Sequence, residues 1–84
     1  MSEAEFEIMD QLYFVTSFED VISLSEINEA TVAVVLWKFI DKGWVKCFDG
    51  PENEITIAED DFKTNYAKYH YLASKKGLLA HNIR

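Results

Sequence analysis

Cys47, His70 and His81 carry the side chains best suited to attack carbon, bind a metal or move a proton near neutral pH, yet their spacing serves none of these tasks. Cys47 is the sole cysteine, so no intrachain disulfide can form. It lies between Lys46 and Phe48 in a β-prone stretch with no His motif nearby, which predicts a structural thiol rather than a nucleophile. The two histidines are eleven residues apart and have neither an HxxxH nor a CxxC companion. A metal site is therefore not expected, and a structural or surface role is. There is no phosphate-binding Gly loop and no nucleophile with a base at a recognised spacing. No pair of carboxylates stands apart from a generally acidic surface. The expectation is a protein that is not an enzyme and uses no cofactor.

The remaining functional residue types are those that recognise surfaces. Ala30, Ala33, Val34 and Trp37 recur at helical spacing, and Trp among small apolar neighbours is the composition of a protein contact. Lys38, Lys42 and Lys46 follow closely and are the basic groups best placed to meet phosphate. Together they neutralise about three phosphates, which gives a salt slope of about −2.7 and feeble nonspecific affinity. A second set, Lys68, Tyr71 and Lys75, falls on one face if its segment is helical. Basic groups interleaved with a ring can hold a phosphate backbone or, through Tyr71, pack on a protein.

Charge is unevenly spread along the 84 residues. Residues 1–61 hold all fifteen acids and three lysines, for −12, whereas residues 62–84 hold five basic groups and no acid, for +5. Such asymmetry suggests that one part of the molecule faces the other, within a chain or between chains, or that the basic end meets an acidic partner. Leu, Ile, Val and Phe make up about 30% of the chain, above the roughly 20% below which a highly charged chain is expected to be disordered. One domain with one core is expected. An acidic N-terminus and the lack of a long apolar run predict a soluble, cytoplasmic protein without a membrane span.

These residues must be positioned by a short series of elements. Ser2 and Glu5 have capping-box spacing and predict a first helix within residues 1–16, apolar on a side bearing Phe6, Ile8, Met9, Leu12, Tyr13 and Val15. Glu3, Glu7 and Asp10 form an acidic stripe opposite, and Phe14, close to that stripe, is expected to be covered by a later element. Ser17 with Asp20 starts a second helix near Phe18, and Asn28 with Thr31 a third that runs to Lys42 and stops at Gly43. Val32, Val35, Leu36, Phe39 and Ile40 fall on its core face. Residues 44–57 read as a β-hairpin around the turn cluster Asp49-Gly50-Pro51-Glu52-Asn53. Residues 59–76 read as a single helix with Phe62, Tyr66, Tyr69 and Ala73 inward, and residues 77–84 as a docked or frayed tail.

Thr31, Val32 and Leu36, then Asp41-Lys42-Gly43, Trp44 and Val45, resemble the end of the recognition helix and first wing strand of winged helix-turn-helix proteins. The resemblance covers residues 17 to 57 and implies an α+β, mostly helical fold: a three-helix core, a two-stranded β-hairpin wing and a C-terminal helix. It also implies that Ala30, Ala33, Val34, Trp37 and Asp41 face outward, where DNA-binding relatives meet bases and phosphates. Trp and Val offer little base readout, and Asp49, Glu52 and Glu54 at the wing tip would repel phosphate. The expectation is a regulatory or interaction module that forms a homodimer or binds a protein partner through Trp37, Val34 and the C-terminal helix. The alternatives are a small dimeric regulator on duplex DNA and, for Trp37, burial under the chain's own Leu78-Leu79.

Overall fold

Three side-chain caps start the first three helices where the sequence places them. In the computed structural model, which describes residues 1–82, α1 spans Glu3–Asp10, and the Ser2 hydroxyl accepts from the Glu5 N–H at 3.2 Å while Glu5 accepts from the Ser2 N–H at 2.7 Å. Helix α2 spans Phe18–Ser25, with the Ser17 hydroxyl accepting from the Asp20 N–H at 3.2 Å. Helix α3 spans Glu29–Asp41, with Asn28 accepting from the Thr31 N–H at 2.9 Å. Gly43 follows with φ +76°, a conformation that glycine adopts without a Cβ penalty, and so ends α3.

Helix α1 is shorter than the expected residues 1–16. The run Tyr13-Phe14-Val15-Thr16 is aromatic and β-branched, and such residues lose side-chain freedom in a helix. The Thr16 hydroxyl closes a turn instead, donating to the carbonyls of Gln11 at 2.9 Å and Phe14 at 2.8 Å. Thr16–Ser17 then forms a short strand, β1. Phe14 is 82% exposed rather than covered.

The expected hairpin is present as β2, Val45–Phe48, paired antiparallel with β3, Glu54–Ile55. The expected single helix over residues 59–76 is not. Helix α4 ends at Asn65, having begun at Glu59, a 3-10 turn covers Tyr66–Lys68, strand β4 spans His70–Ala73, and a further helix, α5, spans Lys75–Asn82. Strand β4 pairs with β2 over four residues, with Val45 opposite Ala73 and Cys47 opposite Tyr71, and with β1 on its other side. The sheet therefore has four strands in the order β1-β4-β2-β3 rather than two. Tertiary pairing overrides local helix spacing here: Tyr71 and Ala73 alternate inward from His70 and Leu72, the period of a strand.

The core lies between the helices and one face of this sheet. Ile8 and Met9 from α1, Leu12 just after it, Val32, Leu36 and Phe39 from α3, Phe62 from α4 and Tyr71 from β4 are all essentially inaccessible to solvent. Ile40, the last of the expected core positions on α3, is half-buried. Segment 77–84 is docked as far as it is described. Gly77 lies in the first turn of α5 and not at a helix end, and a Cβ there would collide with the Trp44 carbonyl oxygen. Ser74 joins the two elements, its hydroxyl donating to the Gly43 carbonyl at 2.6 Å and accepting from the Gly77 N–H at 3.1 Å. No helix among the described residues is long and apolar enough to cross a membrane.

Candidate functional site

Along α3, Val32, Val35, Leu36 and Phe39 turn inward, so Ala30, Val34 and Asp41 are left on the outside. Val34 is 70% exposed, which is unusual for a large apolar side chain on a helix with a well-filled core face. Trp37 is half-buried. Its ring meets Phe62 of α4 with centroids 5.5 Å apart. Phe62 in turn touches Tyr66 at 5.7 Å and Tyr71 at 6.3 Å, and Tyr66 touches Phe18 at 4.8 Å. This chain of rings fixes α4 alongside the outward face of α3.

Between the two helices lies an open groove of about 230 Å³, walled by Ala33, Val34, Trp37, Phe62 and Tyr66. Its rim is charged. Glu59 and Lys63 pair across one turn of α4 at 3.8 Å, and the Tyr66 hydroxyl donates to Glu29 at 2.9 Å, which holds the phenol above its ordinary pKa. Asp60 and Asp61 are exposed in the first turn of α4, and Asp61 accepts from Asn65 and Tyr69. Apolar walls with Glu29 and Glu59 against the single Lys63 at the rim suit an apolar side chain carried by a basic partner.

The five lysines proposed for phosphate divide into two groups. Lys38 lies 2.7 Å from Glu5, Lys42 sits over the Trp44 ring at 4.5 Å, and Lys46 is 3.8 Å from Glu54. Each is thus engaged within the chain. The Lys38 contact, with the Ser2 backbone, lowers the Glu5 carboxyl to a pKa of about 2. Lys68 and Lys75 are exposed and have no ion pair among the described residues.

Tyr71 does not join either set. It was placed on an outer helical face between Lys68 and Lys75, but in β4 it is fully buried, and its hydroxyl donates to the Tyr66 carbonyl at 2.6 Å. Burial raises its pKa far above the ordinary phenol value. Lys68, Tyr71 and Lys75 accordingly belong to a 3-10 turn, a strand and a helix and share no face.

The residues considered first for chemistry are held in structural settings. Cys47 is buried against the core, and loss of solvation pushes its thiol up to about 12, so little thiolate exists near neutral pH. His81 joins α5 to α1: its Nδ1 is 3.0 Å from the Tyr13 hydroxyl, its ring is 4.5 Å from that of Phe6, and its Nε2 is 2.8 Å from Asp10. The last approach is not an aligned hydrogen bond. Within the acidic stripe of α1, Asp10 is met by His81 of α5, which is not one of the five basic groups of residues 62–84.

Sequence reasoning identified Val34 and Trp37 but not the wall that faces them. Phe62 and Tyr66 were read as an inward stripe, and nothing local says that α4 returns to α3. No protein-family model, curated protein or solved structure matches the chain.

Proposed function

We propose that this chain is a winged-helix interaction module without catalytic activity, which contacts protein through the groove between α3 and α4 and through its C-terminal segment. Support for the fold reading comes from the element order: a strand between the first two helices, a capped third helix ended by glycine, and a strand pair after it. Because β2 pairs with β4 over four residues and with β3 over two, β4 serves as the main returning strand of the wing. Residues 49–69 then form an enlarged wing tip, and α4 lies within it.

One observation carries the functional reading. Helix α4 packs beside the outward face of the recognition helix through Phe62 and Trp37, and brings Glu59, Asp60 and Asp61 to the surface that a DNA groove would have to approach. Those carboxylates repel phosphate, and three of the candidate lysines are already engaged. The exposed Val34 in an apolar groove favours a protein partner.

The DNA-regulator alternative rests on Lys68 and Lys75, which are exposed and unpaired among the described residues. Fluorescence anisotropy of a labelled mixed-sequence duplex, at low and then higher salt, separates the two readings. The protein-contact reading expects no binding at low salt. Micromolar binding that weakens steeply with salt, and is reduced by Lys68→Ala or Lys75→Ala, would put the DNA reading in its place.

A further inference from the structure

The first turn of α5 breaks a local rule. Lys75 and Lys76 stand at the positive end of its helix dipole, where cations are disfavoured, and neither has an ion-pair partner among the described residues. One turn further on, Leu79 is 57% exposed, while Gly77 and His81 face inward against Trp44 and α1. The outward side of α5 therefore combines two unpaired cations with a bare leucine. An uncompensated break of this kind marks a site whose compensation lies outside the chain.

The groove between α3 and α4 has the opposite character. Its walls are apolar, Glu59 and Lys63 line its rim, Glu29 reaches it through the Tyr66 hydroxyl, and Asp60 stands exposed next to Glu59 in the first turn of α4. The same opposition runs through the chain, since residues 62–84 carry five basic groups and no acid while residues 1–61 carry −12.

We propose that the groove of one copy receives α5 of a second copy, with Leu79 against Val34 and Trp37 and with Lys75 and Lys76 toward Glu59 and Asp60. Related by a twofold axis, the two copies make this contact twice and the assembly closes as a dimer. The proposal rests on the groove being a protein-contact surface and names its occupant.

Sedimentation velocity of the full chain over a wide concentration range tests it. The wild type should dimerise, and Val34→Asp, Leu79→Asp and the double change Lys75→Glu, Lys76→Glu should each weaken the dimer by roughly tenfold or more. All these positions are exposed within one copy, so at concentrations where wild type and variants are monomeric their thermal unfolding should be similar. Mixing Val34→Asp with Leu79→Asp should restore part of the association, because one contact of the mixed pair joins an intact α5 to an intact groove. Adding Glu59→Lys and Asp60→Lys to the lysine double variant should restore it as well. If Val34→Asp disperses the dimer while the α5 variants do not, α5 is not the occupant and the groove remains a contact surface. If neither disperses it, both the occupant and the groove reading fail. A monomer at every concentration overturns the second copy as partner and leaves the groove for a different protein.

Discussion

Glu5 and Val34 invert the usual order, the acid being buried on α1 and the apolar residue exposed on α3. Glu5 was expected only to cap α1, yet its carboxylate is also buried against Lys38 of α3 and held at a pKa of about 2 from an ordinary 4.5. A depressed folded-state value means that its stabilisation is complete above about 4.5 and is lost as the pH falls toward 2. Glu5→Gln should therefore flatten the acid limb of a urea-midpoint profile over that window and cost about 1 kcal/mol at neutral pH, the low end for a charged hydrogen bond because Lys38 is half exposed. At concentrations where the chain is monomeric, Val34→Asp should leave the urea midpoint within about 0.5 kcal/mol of the wild type, as expected of an exposed site. Tyr71→Phe should cost about 1 kcal/mol, since it leaves the Tyr66 carbonyl with only the 3.4 Å bond from the Tyr69 N–H. Caps and core faces were legible at this scale because they depend on neighbours three and four residues away. The burial of Tyr71 and the pairing of Glu5 with Lys38 depend on residues distant in sequence.

Among the elements, α1 to α3 and the β2–β3 hairpin follow from capping residues, helical periodicity and Gly43, whereas the shorter α1 and strand β1 do not. The segment from Glu59 onward was misread because Tyr69-His70-Tyr71-Leu72-Ala73 satisfies a helical and a strand spacing equally well. What decides between them is the free edge of β2, which a window along the sequence does not contain. Ser74 followed three residues later by Gly77 was a local cue to a new helix start, and the structure uses it as such. Helix α5 is seated by the close approach of Gly77 to Trp44. Gly77→Ala should cost about 1–3 kcal/mol by overpacking, seen as a lowered melting temperature. Glu26, the αL cap of α2 with φ +59°, gives the opposite test. Glu26→Gly should stabilise by up to about 1 kcal/mol, because only a residue without Cβ adopts that conformation freely.

In the molecule as a whole, charge and apolar exposure coincide. The acidic part of the chain supplies α3 and most of the groove's rim, the basic part supplies α5, and the large apolar residues left in solvent include Val34 on the first and Leu79 on the second. The charge asymmetry was visible in the sequence, but the groove was not, because α4 had to be placed against α3 before either wall existed. If a second copy occupies the groove between α3 and α4, self-association moves the groove and α5 together. A concentration series of amide and Trp indole spectra by two-dimensional NMR tests this without any substitution. Concentration-dependent shifts are expected at Ala33, Val34, the Trp37 indole and Phe62, together with Lys75 to Leu79. Groove resonances that stay fixed at every concentration would contradict the second copy as occupant, and shifts of α3 only on adding duplex DNA would contradict the groove as a protein-contact surface.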